Sequence, residues 1–520
     1  MIGSGRKVGS MLDFYKGMDL SFVPEFEERG MVIRDFDKTP VEAVELAARY
    51  GVNAVRLRLW NEPSNVPESG GYCDLAHTIA MAKRIKAQKL QFMLDFHYSD
   101  WWADPGKQTK PKAWEKLSFE ELVQAVYDYT KETLLALRSA DVMPDMVQIG
   151  NEIRSGLLFP DGEAPDFTSM TKLVNAGIQA AREVGGDGLD IMIHLDQGGR
   201  YFYLKEWFDK AFAAGLADFD AIGLSYYPFW HGNFLDLKET MELLVKDYHK
   251  PIIIAETAHA WHIGEDGFID AVQERIAGVE ATPEGQRRVL ELVMDICASL
   301  PEHMGRGIFY WEPFCIPMEG EGGWAANMGL LAPDGTAMEG VRAFAFERRA
   351  KEYHEGRVCQ PKLETKEQQL ALADSDNLLQ NPGWEEGLEH WQIERDADTV
   401  IAARHPEFVD PFPAPPVNAL RVESAKNFTF CVSQQAKIDK AGQYGLRVHY
   451  KGADTTGVDV RLFLEQGGQR TEAVIHPTEH DWQEIVVQMQ LSEGPVLAGV
   501  KITAPPVYGM MKNFALFSLE

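Results

Sequence analysis

The residues of this chain that could do chemistry sit at the ends of short apolar segments. Asp19 closes the first segment, while Arg56, Arg58 and Trp60 lie on or just after the second. The third runs into Asp95-Phe96-His97-Tyr98-Ser99-Asp100-Trp101-Trp102, the fourth into Gly150-Asn151-Glu152, and the fifth into His194-Leu195-Asp196. The sixth ends in Ser225-Tyr226-Tyr227-Pro228-Phe229-Trp230, the seventh in Ala255-Glu256-Thr257 and the eighth in Tyr310-Trp311-Glu312-Pro313. Carboxylates mixed with Arg, His, Asn and many aromatics suit a sugar. The CH faces of a pyranose stack on aromatic rings, hydroxyls pair with polar tips, and two opposed carboxylates can cleave a glycosidic bond. Singly, each signal is weak, since a barrel-end carboxylate is as often an ion-pair partner and a Trp or Tyr there can simply cap the core. The weight lies in their conjunction at nearly all eight ends. No competing motif is present: there is no GxSxG elbow, HExxH pair, P-loop or GxGxxG after a strand, and the 14 histidines have no metal-ligand spacing.

The elements that must position these residues are legible as an alternation. Strand candidates are Lys16–Leu20, Asn53–Trp60, Gln91–His97, Met146–Gly150, Asp190–Leu195, Asp220–Ser225, Pro251–Ala255 and Gly307–Trp311. Helix-like runs between them include Pro40–Tyr50, Asp74–Ala87, Phe119–Ser139, Met170–Val184, Leu235–Val245 and Glu284–Ser299. Eight strands, each followed by a helical run, predict an α/β fold, a (β/α)₈ TIM barrel spanning 1–358. A doubly wound open sheet would show a glycine-rich turn after its first strand, and Met18-Asp19-Leu20-Ser21 is not one. A charged helix over Val341–Glu355 is expected to close the barrel, with a polar linker at 359–376. From 377 to 520 the pattern becomes short alternating strands, among them Tyr444–Tyr450, Val458–Glu465, Glu484–Leu491 and Gly499–Thr503, with a proline-rich insertion at Pro411-Phe412-Pro413-Ala414-Pro415-Pro416. That pattern predicts a C-terminal antiparallel β-sandwich.

Composition narrows the partners. The 520 residues are 45% apolar, 25% charged and 11% aromatic, which rules out disorder over most of the length. The net charge of −28 disfavours phosphate backbones and anionic lipid surfaces, so neither nucleic acid nor membrane is an expected partner. No apolar run approaches the ~20 residues of a membrane-spanning helix, and the N-terminus shows no signal-like apolar stretch. Five cysteines without a CxxC pair read as free thiols in a reducing compartment, so the expected location is cytoplasmic.

At the strand ends the chain resembles glycoside hydrolase family 53, the endo-β-1,4-galactanases (arabinogalactan endo-β-1,4-galactosidases). The resemblance is carried by Gly17-Met18-Asp19-Leu20-Ser21, Val55-Arg56-Leu57-Arg58-Leu59-Trp60, and above all Leu94-Asp95-Phe96-His97-Tyr98-Ser99-Asp100, which continues through Trp101 to Thr109. Further matches are Gln148-Ile149-Gly150-Asn151-Glu152, Ile222 through Gly232, Glu256-Thr257 and Tyr310-Trp311-Glu312-Pro313. The resemblance implies a retaining hydrolase of internal β-1,4-galactosidic bonds in galactan, type I arabinogalactan or galacto-oligosaccharides. Glu152 would be the general acid/base and Glu256 the nucleophile, with the carboxyls ~5–5.5 Å apart. Asn151 would bond the 2-hydroxyl, Arg58 and His97 would orient the carboxylates, and Trp311 would floor the −1 subsite. Trp102 and Trp230 would be sugar platforms, and Asp19 and Tyr226 complete the substrate-binding set. A cytoplasmic enzyme would meet imported oligosaccharides, so short chains are the expected preference. The remaining alternatives are a related β-glycosidase acting on mannan or glucan, and a non-catalytic galactan-binding protein.

Two carboxylates complicate the assignment. Asn61-Glu62-Pro63 also reads Asn-Glu, and strand counting alone leaves it open, since strands two and seven are likewise three steps apart around the ring. The resemblance favours Glu152, leaving Glu62 as a loop anchor and Glu312 as structural. The chain also departs from the family pattern. Bacterial members often carry an Asp/Gly-rich calcium loop after strand seven; here the stretch is Ile263-Gly264-Glu265-Asp266-Gly267-Phe268, poor in acidic oxygens for a site of ~6–8 ligands. No cofactor is therefore required, and a structural calcium is compatible with the resemblance without being implied by it. After strand eight, Gly323-Trp324-Ala325-Ala326-Asn327 is an altered loop. The C-terminal segment opens with Asn377-Leu378-Leu379-Gln380-Asn381-Pro382-Gly383-Trp384-Glu385, similar to galactose-binding-like jelly rolls, which either bind carbohydrate or pack against a catalytic barrel.

Overall fold

The computed structural model describes residues 11–347 and 377–519, apart from 265–266, 271–272, 275–276, 319–322, 383, 385–387, 398, 408–416, 425, 453–456, 478–482 and 506. Two compact units divide near residue 360. In the first, strands β1 (Tyr15–Asp19), β2 (Ala54–Leu59), β3 (Gln91–Phe96), β4 (Met146–Ile149), β5 (Asp190–Leu195), β6 (Ala221–Ser225), β7 (Ile252–Thr257) and β8 (Gly305–Tyr310) pair in parallel. The order β1-β8-β7-β6-β5-β4-β3-β2 closes on itself as a (β/α)₈ barrel. Helices α1 (Ala43–Arg49), α2 (Leu75–Ala87), α3 (Phe119–Ser139), α4 (Phe167–Gly185), α5 (Tyr201–Ala213), α6 (Phe234–Tyr248) and α7 (Pro283–Ser299) each lie between successive strands. Helix α3 shows why these runs are helical. Ser118 and Glu121 form a reciprocal capping box at its start, and Leu122, Val126, Leu134 and Leu137 are buried at spacings of three, four and eight residues along one face.

The barrel interior is layered by the two-residue period of its strands. Tyr15, Ala54, Met93, Met146, Met192, Ala221, Ile253 and Phe309, one from each strand, form an apolar plug. Gly17 is required beside that plug, because a Cβ there would stand 2.2 Å from the Phe309 ring. Two residues further along β2, β3, β4 and β5 come Arg56, Asp95, Gln148 and His194, all buried. The plug thus gives way to a polar layer at the C-terminal end of the strands, where barrels place their sites.

Strand β7 breaks this parity. With Ile253 and Ala255 facing the plug, strict alternation would turn Glu256 outward. Its register slips against both neighbours: Leu224↔Ile254 is followed by Ser225↔Glu256, and Ile308↔Ile254 by Tyr310↔Thr257. The extra residue is a bulge that re-aims Glu256 into the barrel.

Of the charged helix expected over Val341–Glu355, the described part starts inside a 3₁₀ helix at Glu339–Ala345, and 348–355 lie outside the described residues. Val341 and Phe344 are buried three apart, which suits a three-residue turn. Residues 348–376, including the expected linker, lie outside the described residues, as does the proline-rich insertion.

In the second unit, β9 (Gln392–Arg395), β10 (Val400–Glu407), β11 (Val417–Glu423), β12 (Phe428–Ile438), β13 (Gly442–Gly452), β14 (Asp459–Gln466), β15 (Gln469–Ile475), β16 (Gln483–Leu491), β17 (Gly494–Ala504) and β18 (Tyr508–Ser518) form two antiparallel sheets. Their orders are β9-β12-β17-β14-β15 and β10-β11-β18-β13-β16. Residues of both sheets, including Phe430, Val500, Leu446 and Leu516, share one core with Trp384 and Trp391. No helix among the described residues is long and apolar enough to cross a membrane.

Candidate active site

Gly150 follows β4 at a φ of +79°, and a Cβ there would meet Ile153 at 2.6 Å. Glu152 itself is left-handed, with φ 47° and ψ 49°. A non-glycine residue there costs on the order of 1–3 kcal/mol and persists where surrounding structure imposes it. Here the turn presents Asn151 and Glu152 to a cleft of about 360 Å³ that Glu256 also lines.

Arg56 organises the floor. Its guanidinium donates to Asp19 Oδ2 and Asp95 Oδ2, each at 2.8 Å, and to Asn151 Oδ1 at 2.9 Å, and pairs with Glu256 Oε1 at 3.0 Å. Tyr227 donates its hydroxyl to the other Glu256 oxygen at 3.0 Å. Gln148 Nε2 donates to Asp95 Oδ1 at 2.6 Å and Asn151 Oδ1 at 3.0 Å. Asn151 Nδ2 donates to Ala103 O at 2.8 Å, so the amide is locked in one orientation. His97 Nδ1 accepts from Trp60 Nε1 and the Ala103 amide; its Nε2 therefore carries the hydrogen and faces Asp95 Oδ2 at 3.0 Å. Burial would push Asp95 up, but Arg56 and His97 outweigh it and hold the carboxyl below its usual range. His194 joins Asn151 Oδ1 (3.0 Å) to Ser225 Oγ (2.9 Å), and Ser225 Oγ contacts Glu152 Oε1.

The two glutamates differ electrostatically. Loss of solvation, then the charges of Glu256 and Asp196, drive Glu152 well above the ordinary carboxyl value. Glu256 is raised by burial to about 7, with Arg56 and Tyr227 drawing it down against Asp95 and Asp19. Glu152 faces the negative charges of Glu256 and Asp196, which favour its protonated form, whereas Glu256 faces the Arg56 guanidinium and the Tyr227 hydroxyl, which favour its carboxylate, the arrangement for protonating one atom while attacking another.

Aromatic rings wall the cleft in a continuous series. Trp102 and Trp311 have centroids 5.8 Å apart, Trp311 and Trp324 4.3 Å, Trp324 and Phe268 4.9 Å, and Phe268 and Trp230 5.4 Å. Trp230 is 45% exposed and offers an open face.

Of the residues singled out in the sequence, Glu152, Glu256, His97, Trp102, Asn151, Trp230 and Trp311 line this cleft. Three expectations need correction. Arg58 does not orient the carboxylates: it pairs with buried Glu312, inside a cage of Phe22, Trp60 and Trp102 rings at 4.5, 5.1 and 4.4 Å. Arg56, two residues earlier on the same inward face, does that work, and the carboxylate His97 meets is Asp95. Tyr226 is fully buried, its hydroxyl spent on Gly232 O; its neighbour Tyr227 is the cleft residue. Asp19 is buried against Arg56 and Ser21 and holds the arginine without lining the cleft. Glu62 is exposed and accepts from Ser64, as a loop anchor does. Arg56, His194 and Ser225 stood among the strand-end residues without a role, which parity along β2, β5 and β6 could have supplied; Phe268 lies in a loop and Trp324 opens the four-residue helix Trp324–Asn327, with no such signal. Among the described residues no three His, Cys, Asp or Glu side chains are placed to hold a metal ion; Glu265 and Asp266 lie outside them.

Residues 15–353 match the family described as Glycosyl hydrolase family 53. The chain belongs to this family. A protein of Niallia circulans described as "Uncharacterized protein in bgaB 5'region" is 41% identical over 320 residues, 59% of this chain and 86% of that protein. The "Endo-beta-1,4-galactanase" of Bacillus subtilis is 35% identical over 324 residues, 60% of this chain and 73% of that one. Among solved structures, the "Ignisphaera aggregans GH53 catalytic domain" is 36% identical with a TM-score of 0.60, covering 65% of this chain and 98% of that chain. As a family 53 member, the chain is a glycosidase, and the matched region contains the whole described barrel.

Proposed function

We propose that this hydrolase cleaves internal β-1,4-galactosidic bonds of galactan with retention, Glu256 acting as nucleophile and Glu152 as general acid/base. The observation that carries the assignment is the placement of Glu256 between Arg56 and Tyr227 in the same cleft as a strongly raised Glu152. In the first half-reaction Glu256 attacks the anomeric carbon while Glu152 protonates the departing oxygen; in the second, Glu152 takes a proton from water, whose oxygen displaces Glu256. Arg56 and Tyr227 balance the nucleophile's charge before attack and receive it again on release. Three donors hold Asn151 Oδ1, and one Nδ2 hydrogen is committed to Ala103 O, so the other is free for the 2-hydroxyl. The aromatic wall supplies stacking faces for neutral pyranoses, and similarity to a galactanase supports galactose as the sugar.

The test is reducing-end release from linear β-1,4-galactan, with β-mannan and β-glucan as comparisons. Wild type should act on galactan, Glu152→Gln and Glu256→Gln should lose at least ~10²-fold, and Glu62→Gln should match wild type. Preference for mannan or glucan would overturn the substrate, and an active Glu256→Gln would overturn the mechanism.

A further inference from the structure

With Glu152 ionised, the Asn151–His194–Ser225–Glu152 chain contains one proton fewer than its acceptors can use. Asn151 Oδ1 faces Arg56 Nη2 and Gln148 Nε2, while Asn151 Nδ2 faces a carbonyl. Gln148 is itself fixed, because its Oε1 accepts from Arg56 Nε and its Nε2 donates to Asp95 Oδ1 and Asn151 Oδ1. His194 Nδ1, 3.0 Å from Asn151 Oδ1, must therefore carry a hydrogen. Burial first, and then Arg56, hold His194 neutral. Its Nε2 is then a bare acceptor 2.9 Å from Ser225 Oγ. Ser225 has a single proton and two claimants, His194 Nε2 and Glu152 Oε1.

We infer that Ser225 is a reorienting donor that follows the charge of Glu152, with His194 as the competing acceptor, so that both act as positioning residues for the acid/base. When Glu152 is neutral in the empty cleft, its O–H donates to Ser225 Oγ and Ser225 donates to His194, satisfying every group. When Glu152 becomes a carboxylate, Ser225 turns its O–H onto Oε1 and His194 Nε2 is left without a donor. The unmatched nitrogen favours the neutral acid before the first half-reaction, and the turned hydroxyl supports the carboxylate base for the second. As the glycosidic C–O bond breaks, the proton of Glu152 passes to the leaving oxygen; as water adds, Glu152 regains one. Ser225 and His194 give up no proton at either step.

The surrounding charges form a fixed background to this competition. Glu152 faces Glu256 from β7, Asp196 from the end of β5, Asp104 from the loop after β3, and Tyr227 from the end of β6; Asp196 is paired with Arg154. His194 faces Arg56 on β2, and Asp95 and His97 at the end of β3.

The inference rests on Glu152 as acid/base, and the experiment separates the two. The readout is the alkaline limb of kcat/KM on linear β-1,4-galactan, which reports the free enzyme's acid. Ser225→Ala removes the carboxylate's donor and should move the limb up by roughly one pH unit. His194→Phe removes the competitor and should move it down by a similar amount. In the Ser225→Ala background, His194→Phe should add no shift. Shifts in the same direction, or additive shifts in the double variant, would overturn the inference. His194→Leu replaces His194→Phe if thermal melting shows that the larger ring disrupts the barrel. On a nitrophenyl β-galactobioside, whose leaving group needs no acid, Ser225→Ala should lower kcat several-fold and leave kcat/KM near wild type; an unchanged kcat would count against the inference. If Glu152→Gln retains activity on galactan, the acid/base assignment itself fails. If that variant is inactive and neither shift occurs, only the role of Ser225 and His194 fails.

Discussion

Arg56 and Arg58 lie two residues apart on β2, both buried, both pointing into the barrel and both paired with carboxylates, yet their surroundings differ in kind. Arg56 is shared among Asp19, Asp95 and Glu256, with Asn151 as a further acceptor. Among the described residues Arg58 forms an ion pair with Glu312 alone, and aromatic rings enclose it. A one-to-one pair in an apolar cage is a structural device whose disruption leaves a buried charge. An arginine shared by three carboxylates, one of which borders the cleft, leaves negative charge in excess and ties the protein's electrostatics to the state of Glu256. Burial and ion pairing do not distinguish the two; the number of carboxylates per arginine, and which of them border the cleft, does.

This contrast can be broken or sharpened by substitution. Arg56→Lys keeps a charge but cannot span Asp19, Asp95, Asn151 and Glu256 together, so kcat on galactan should fall on the order of 10²-fold. A loss in Arg58→Lys as large as that in Arg56→Lys would erase the distinction. Arg58→Met should instead lower stability, by about 3–5 kcal/mol in denaturant unfolding, because Glu312 is left buried and unpaired. Adding Glu312→Gln should recover much of that loss, with kcat staying within a few-fold of wild type. Tyr227→Phe removes one donor to Glu256 and should lower kcat/KM roughly tenfold without shifting the unfolding midpoint by more than a few degrees.

The smallest effect concerns pH. The carboxyl of Glu152 is raised on folding, so its contribution to stability is complete below the unfolded value of ~4.3 and declines as pH rises through the folded value. Glu152→Gln abolishes that decline. Its melting temperature should match wild type near pH 4 and exceed it by a few degrees at pH 8; equal melting temperatures at both would show that the carboxyl is not raised.

The barrel was legible because its parallel strands are buried on both faces and so read as short apolar runs, while the helices carry a 3.6-residue period and explicit caps. The strand ends located the site for the same reason. What the sequence hid depends on local geometry. Glu256 lies on the wrong parity for an inward residue, and only the β7 bulge turns it to the cleft. Of the adjacent tyrosines, Tyr226 goes under the loop and Tyr227 into the site, a choice made by the turn after β6. Arg56 and Arg58 share a face, so depth along the barrel, which periodicity does not encode, decided which one met Glu256. Where the expected helix after Val341 is described, it begins as a 3₁₀ turn because burial repeats every three residues there.

The central claim is that Glu256, held by Arg56 and Tyr227, forms a covalent bond to the sugar. Incubation with an activated 2-deoxy-2-fluoro β-galactobioside, followed by peptide mass spectrometry, tests it directly, since the fluorine slows breakdown of a glycosyl-enzyme. The account predicts a single glycosylated peptide with the label on Glu256, absent in Glu256→Gln. A label on Glu62, Glu152 or Glu312, or turnover with no trapped enzyme and an inverted product, would contradict it.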